Sequence, residues 1–351
     1  MTTPTIDVVI PAWGDDPWLE RSVDSVLAST GVDAIAVVVD NGADPATIDR
    51  LAARPRVTVV RPGTNLGFAG GCNAGARAAA TARPTSEFVA FLNQDAILEP
   101  GALAALAAVA LRPDVGIASA SVRLADHPDT MNSAGNPVHF LGFCWAGAYG
   151  EPTAAHAEEV EIASPSGTAM AARREVWDAL GGFNEQFFAY LEDAEVGLRC
   201  WQRGLRVVYV PTAVVTHRYE FSRNDLKWYL LERNRLVLLL TVYERRTLLL
   251  LAPAIVGVEV GMLLVAARAG WLRPKLRGWA WTFRHRHDVA DRRRQVQTTR
   301  LVADKSVAPR LETRFDPANM GIPGWIRPLN AGLAGYWQIT RRMLRRGRPL
   351  A

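Results

Sequence analysis

Residues 34–42 read Ala-Ile-Ala-Val-Val-Val-Asp-Asn-Gly. Six apolar residues in succession, with no polar alternation, predict a strand buried on both faces. Asp40 ends the run, and Asn41-Gly42 is a turn pair. The pattern repeats outward from this stretch. Upstream, residues 6–11 (IDVVIP) form a short apolar run stopped by proline, and Leu19, Val23, Val26 and Leu27 recur at helical spacing. Downstream, residues 56–61 (RVTVVR) predict a third strand, the Ala-rich residues 73–82 a helix, and residues 87–92 (EFVAFL) a fourth strand. Asn93-Gln94-Asp95 follows it, and then a helix over 101–111. Strands alternating with helices imply an α/β fold with an open, mostly parallel sheet and flanking helices. Right-handed crossovers bring Pro11, Asp40 and residues 93–95 to one edge. Ligands of such sheets bind outside the carboxyl ends of the strands.

The rest of the chain is less regular. Residues 119–162 are rich in Gly, Pro and His and predict a loop-rich region with short strands. Residues 164–180 predict a Ser-Pro-Ser-Gly turn and then a helix, and residues 187–204 a helix carrying Glu192, Asp193 and Glu195. Strands over 207–210 and 213–215 end near His217. Past Phe221 the composition shifts. Residues 226–243 predict an apolar helix studded with Arg. Residues 248–267 are an apolar run broken by Pro253 and Glu259, long enough to cross a bilayer. Arg245, Arg246 and Arg268 flank it on both sides, so the positive-inside rule gives no orientation. An in-plane or re-entrant membrane element is favoured over a span or a buried soluble helix. Trp271, Trp279 and Trp281 lie among Arg273, Lys275, Arg277 and Arg284 like an interfacial belt. Residues 339–351 form a basic amphipathic end.

Charge divides the chain at the same place. Residues 1–222 hold 15 Lys+Arg against 26 Asp+Glu, and residues 223–351 hold 25 against 9. Two regions with different tasks are expected, and a Leu- and Trp-rich basic region suits an anionic membrane surface. Nucleic acid is the competing polyanion, disfavoured because no recognisable nucleic-acid motif is present. With 49% hydrophobic and 21% charged residues, the 351-residue chain excludes wholesale disorder. Three cysteines without CxxC spacing argue against a disulfide framework and a cysteine-based metal site and suggest a reducing compartment. The first residues lack the basic start and apolar core of a signal peptide.

Four stretches carry candidate chemistry. Asp40 can accept hydrogen bonds from a nucleotide's base or ribose, or cap a turn. Residues 63–75 (GTNLGFAGGCNAG) supply glycines that let backbone approach a ligand, ahead of a helix N-terminus that attracts phosphate. The spacing matches neither the dinucleotide fingerprint nor a Walker A loop. Asp95 stands where a carboxylate holds Mg2+ or Mn2+ against a diphosphate, with His217 as a further ligand. Adjacent Glu192 and Asp193 repel each other, which raises the pKa of one of them, as a general base requires, or they form a solvated acidic helix start.

Six stretches in order resemble the family 2 glycosyltransferases of GT-A fold, most closely the bacterial rhamnosyl- and galactofuranosyltransferase branch. They are VVIPAWG, VVVDNGAD, NLGFAGGCNAG, FLNQDAILEPG, the run SGTAMAARREVWDALGGFNEQFFAYLEDAEVGLRCWQRGLRVVYVP, and VVTHR, over residues 6–222. The resemblance implies a catalytic domain over 1–222 and a basic, hydrophobic, membrane-associated helical region over 223–351. It implies donor contacts at Pro11, Ala12, Trp13, Asp40, Asn65, Gly67, Phe68 and Gly70. Asn93, Gln94 and Asp95 occupy the DXD position, with Asn in place of the first acid, and His217 a position that touches metal or diphosphate. Glu192 and Asp193 occupy the position of the catalytic base, Asp193 being favoured. The implied reaction is inverting, metal-dependent transfer of a sugar, rhamnose or galactofuranose first, from a dTDP- or UDP-linked donor. The implied acceptor is a hydroxyl of a polyprenyl-diphosphate-linked or cell-envelope glycan at the cytoplasmic face of the plasma membrane. Arg233, Arg235, Arg245 and Arg246 are candidates to meet the lipid diphosphate. A transferase with a soluble acceptor, or a catalytically silent scaffold or carbohydrate-binding protein, are the alternatives. The sequence leaves oligomerisation open.

Overall fold

The computed structural model describes residues 3–219, 224–316 and 326–346. The expected junction at 222/223 and the last five residues of the basic tail lie outside the described residues. The chain divides into two compact units. One comprises Met1–Asn136, Ala146–Cys200 and Leu205–Glu220; the other comprises Pro137–Trp145, Trp201–Gly204 and Phe221–Ala351.

The first unit is built on one ten-stranded sheet. In chain order the strands are β1 (Thr5–Gly14), β2 (Asp33–Ala43), β3 (Val57–Val60), β4 (Phe88–Leu92), β5 (Ala96–Leu98), β6 (Val115–Leu124), β7 (Met131–Ser133), β8 (Val160–Glu161), β9 (Ala169–Arg173) and β10 (Arg206–His217). The helices are α1 (Leu19–Leu27), α2 (Pro45–Ala52), α3 (Gly67–Ala82), α4 (Ala102–Ala110), α5 (Arg174–Leu180) and α6 (Glu192–Gln202). Spatial order is β3-β2-β1-β4-β9-β6-β10-β5, with β7 against β6 and β8 against β10. The β3-β2-β1-β4 half is parallel throughout. β9 runs antiparallel between β4 and β6, and β6 and β10 are again parallel. The result is a mixed α/β sheet with flanking helices.

Alternating side chains of β1 serve two layers. Ile6, Val8 and Ile10 join Leu19, Val23, Ile48, Leu103 and Leu106 in one buried cluster. Val9 faces the other way, toward α3. A Cβ at Gly75 of α3 would lie 2.3 Å from Val9 and 2.8 Å from Val39, so only glycine lets this helix seat on β1 and β2. On that same side Phe91, Trp177 and Phe183 form a mutual aromatic cluster, with ring centroids 4.4–5.3 Å apart.

Several elements differ from expectation. α3 begins at Gly67 and absorbs most of the Gly-rich stretch. β6 continues to Leu124, into residues expected to be irregular. β9 occupies residues expected to be turn and helix: its sequence, AMAAR, has helix-favouring composition, and its strand state comes from pairing on both sides. α6 starts at Glu192 rather than at residue 187. The two strands expected over 207–215 are one strand with an irregularity between Val210 and Val214.

The second unit is helical, with α7 (Asp225–Val242), α8 (Arg245–Ala269), α9 (Leu272–Arg284), α10 (Arg286–Thr298), α11 (Asp304–Val307) and α12 (Ile326–Arg346). Its interior holds an ionic cluster. Lys275 Nζ lies 2.5 Å from Glu232 Oε2 and 2.9 Å from Glu259 Oε2. Arg235 bonds Glu259 and lies 3.2 Å from Glu232, and Trp279 Nε1 donates to Glu259 at 2.8 Å. Two carboxylates therefore offset two cations in a buried place. Arg235 is thus engaged inside the protein, and Arg233 is buried against Asn234 and Trp281. Neither is presented to a lipid diphosphate as the sequence suggested. Arg245 and Arg246 are exposed.

Two stability predictions follow from this packing. Gly75→Ala lowers unfolding free energy by about 1–3 kcal/mol, whereas Gly101→Ala, which meets nothing within 4 Å, stays within about 0.5 kcal/mol; denaturant titration checks both. Lys275→Met leaves an uncompensated buried carboxylate and costs the helical unit about 3–5 kcal/mol, readable in the same titration.

Candidate active site

Parallel pairing of β1 with β2 and β4 opens their carboxyl ends on one edge. Ala12 pairs with Asp40 across that edge. Pro11 is half-buried, Ala12 is buried and Trp13 is 65% exposed. Trp13 N donates to Gln94 Oε1 at 2.6 Å, and Gln94 Nε2 donates to Trp13 O at 2.9 Å. Gln94 therefore clamps the backbone that presents the Trp13 ring. Asp40 Oδ1 accepts from Gly42 N and Ala43 N at 2.9 and 3.0 Å, which fixes the half-buried carboxylate at the edge as a turn cap.

Asn41, which the sequence marks only as half of a turn pair, is buried. Its Nδ2 donates to Gly67 O at 2.8 Å and its Oδ1 accepts from Leu66 N at 3.2 Å. The 63–75 stretch is thereby tied to the end of β2. Asn65 is exposed and accepts from Gly67 N at 2.8 Å; Phe68 is half-buried and Gly70 is buried within α3. Gly67 has φ +70°, and a Cβ there would lie 2.4 Å from Phe188 O. Ala69 N donates to that same oxygen at 3.1 Å. Further along α3, Asn73 exchanges two 2.9 Å hydrogen bonds with the Phe183 backbone. The glycine-rich stretch expected to cradle the donor thus also grips the segment that precedes the acids.

That segment is strained. Phe188, Tyr190 and Leu191 have φ of 62°, 71° and 68°, in the left-handed region that favours glycine. Such residues cost roughly 1–3 kcal/mol each and persist where the surroundings over-determine them. α6 then opens with Glu192 and Asp193. Asp193 Oδ2 accepts from Asn136 Nδ2 at 2.8 Å and Gly167 N at 3.1 Å; its Oδ1 accepts from Ala194 N at 2.7 Å. Glu192 is buried, and its Oε2 has no hydrogen-bond partner among the described residues. Burial, then the charge of Asp193, pushes the Glu192 carboxyl well above the usual range. Burial also raises Asp193, while its hydrogen bonds pull the other way. Such a pair holds a proton more readily than an exposed carboxylate does, because burial and mutual charge both oppose ionisation. Glu195 is different: it is buried and ion-paired with Arg199 at 2.6 Å, and Arg199 anchors α6 on Gly182 O at 2.6 Å.

A second corner forms where β4 and β10 end. The antiparallel register of β5 and β10 pairs His217 with Ala96. His217 Nε2 accordingly lies 3.2 Å from Asp95 Oδ1, and its Nδ1 lies 2.8 Å from Asn132 Oδ1. Asn93 Oδ1 is buried without a hydrogen-bond partner among the described residues. No cluster of three or more His, Cys, Asp or Glu suited to a metal occurs among the described residues. One carboxylate, one imidazole and one orphaned amide oxygen fit a divalent ion that completes its shell from phosphate oxygens and water. The two corners meet through adjacent residues: Asn93 N donates to Thr168 O at 2.9 Å, and Gly167 N donates to Asp193. Asn132 and Asn136 escape sequence reasoning because neutral residues in a stretch without periodicity carry no signal, and Asn41 and Gly167 are legible only as turn residues, not as the anchors they are.

The family described as "Glycosyltransferase like family 2" matches residues 4–238, two thirds of the chain, and the chain belongs to it. The N-acetylglucosaminyl-diphospho-decaprenol L-rhamnosyltransferase of Mycobacterium tuberculosis is 28% identical over 240 residues, covering 63% of this chain and 78% of that protein. The O-antigen biosynthesis protein RfbC of Myxococcus xanthus is 30% identical over 63% of this chain, but this spans only 18% of RfbC. Among solved structures, GalNAc-T7 with UDP, GalNAc and Mn2+ aligns with a TM-score of 0.55 at 16% identity, over 69% of this chain and 48% of that one. Mannosyltransferase PcManGT from Pyrobaculum calidifontis, in complex with GDP-Man and Mn2+, aligns with a TM-score of 0.50 at 17% identity, over 97% and 87%. At those identities the likeness is one of fold, and the fold is GT-A.

The hydrogen bond from Asn136 lowers the Asp193 pKa. Asn136→Ala therefore raises it, and with Asp193 as the base proposed below, the acid limb of the pH–rate profile moves to higher pH.

Proposed function

We propose that this glycosyltransferase moves a sugar, with inversion, from a nucleotide diphosphate to a hydroxyl of a lipid-linked glycan. The observation that carries the reading is the Gly167-Thr168 backbone, which touches both the Asn93–Asp95 corner and Asp193. It supports a donor diphosphate and an acceptor hydroxyl held side by side. Asp40 and the Pro11–Trp13 edge would receive the nucleoside. Asp95, His217 and Asn93 would hold a divalent ion, Mg2+ or Mn2+, which when bound offsets charge developing on the leaving diphosphate. Solved relatives in fold carry Mn2+ with their nucleotides, which supports that part.

Asp193, with Glu192 beside it, takes the proton from the acceptor hydroxyl. The oxygen then attacks the anomeric carbon opposite the diphosphate, the bond from that carbon to the diphosphate oxygen breaks, and the nucleoside diphosphate leaves. One displacement inverts the centre. Glu192 is buried and Asp193 half-buried, which limits the access of bulk water to the proton. Rhamnose from a dTDP-linked donor is favoured, with galactofuranose from UDP next; the acceptor is a polyprenyl-diphosphate-linked glycan. The mycobacterial relative's name supports both the sugar and the acceptor class. Three cysteines, an odd number without CxxC spacing, suit a reducing compartment, which supports the cytoplasmic face of the plasma membrane.

The test is nucleoside diphosphate release from a panel of sugar nucleotides, in detergent, with membrane lipid extract as acceptor. Release from one donor, dependent on extract and divalent ion, is expected. Asp193→Asn lowers it by about 10²–10⁴-fold, and Asp95→Ala removes most of it. Turnover unchanged in both variants would refute the site, and extract-independent release onto a soluble glycan would refute the acceptor.

A further inference from the structure

α8 is the one described helix long and apolar enough to cross a membrane, yet its surroundings point elsewhere. Its most apolar 18-residue window has a mean hydropathy of 2.4 and is only 6% buried. Twenty-five residues extend about 37 Å, enough to span about 30 Å of hydrocarbon. The exposed apolar positions Leu249, Val256, Val260 and Leu264 recur at helical spacing along one face. Thr247, Leu251, Glu259 and Ala266 occupy the buried face. Glu259, near the helix middle, is enclosed by Arg235 and Lys275.

A perpendicular α8 would carry this ionic cluster to the bilayer centre. It would also carry α9, which packs on α8 and exposes Arg273, Arg277 and Arg284. Charges at that depth cost several kcal/mol each and face a bundle interior or water. The exposed face of α9 instead sets these arginines beside Leu276 and Phe283. A groove of about 560 Å³ runs along it, lined by Leu272, Arg273, Leu276, Arg277 and Arg284 among others. α12 adds exposed Ile339 and Met343 among Arg342, Arg345 and Arg346. Together α8, α9 and α12 carry twelve Lys and Arg and one acid, the buried Glu259. A long apolar stripe flanked by arginine-bearing amphipathic faces matches the interface of an anionic bilayer.

We infer that α8 is an in-plane anchor: it lies along an anionic membrane surface with its Leu249–Leu264 stripe in the acyl boundary, and the arginines of α9 and α12 meet lipid phosphates. The inference rests on helix geometry and charge, and it stands whether or not the proposed transfer reaction is correct.

The test uses the full chain and vesicles of phosphatidylcholine with or without phosphatidylglycerol. Flotation is expected with the anionic vesicles and little with the neutral ones. Arg273→Gln with Arg277→Gln lowers partitioning on the order of 25-fold, at about fivefold per charge. Val256→Asp with Val260→Asp abolishes flotation while circular dichroism stays that of the parent. Fluorophores at Leu249→Cys, Val256→Cys and Leu264→Cys are then quenched by lipids brominated at known depths. Equal, shallow depth at all three positions supports the in-plane anchor. A depth that deepens toward Val256 and returns by Leu264 would make α8 a span and overturn it. Equal flotation with both vesicle types would overturn the anionic requirement. Absence of flotation, with the stripe buried by self-association in lipid-free solution, would assign the face to a second copy of the chain.

Discussion

The parallel register of β1 between β2 and β4 is the constraint on which the rest of the first unit depends. It makes three carboxyl ends emerge together, so that Trp13, Asp40 and Asn93–Asp95 share an edge without any of them needing a long loop. β1 holds this central place because its residues are buried on both faces, with Ile6, Val8 and Ile10 in one layer and Val9 against α3. A one-residue slip would exchange those faces and drive Val9 away from the space that Gly75 leaves for it. Register, helix seating and edge chemistry are therefore one condition.

The second dependency is desolvation. Asp193 is held by an amide side chain and two backbone N–H groups, whereas Glu192 is buried with an unpartnered oxygen. Two neighbouring carboxylates in such surroundings resist double ionisation. The left-handed residues 188, 190 and 191 bring them there, and α3 holds that strained segment through Gly67, Ala69 and Asn73. The family's glycine-rich and acidic stretches, far apart in sequence, form a single mechanical element.

Sequence disclosed the parts that repeat or carry charge. The apolar strands around 6–11, 34–40 and 87–92 and their shared edge were readable from hydrophobic runs, and Asp95 and His217, read as partners, stand 3.2 Å apart. Hidden from it were elements whose state is set by neighbours. β9 is Ala-rich and becomes a strand only between β4 and β6. The helical state of the glycines from Gly67 onward is not legible, because their close approach to β1 and Phe188 has no local signature. Asn132 and Asn136 orient His217 and Asp193 from a stretch without periodicity. In the helical unit, the arginines counted as free for lipid phosphate included Arg235, whose partner Glu259 is 24 residues away and recognisable only after folding.

The most direct measurement is a crystal structure of the full chain with a nucleoside diphosphate and Mn2+. The edge geometry predicts the nucleoside beside Asp40 and Trp13, with the diphosphate at Asn93, Asp95 and His217 and its sugar-bearing end toward Asp193. A nucleotide bound away from the β1, β2 and β4 carboxyl ends, or a diphosphate held without Asp95 and His217, would contradict it.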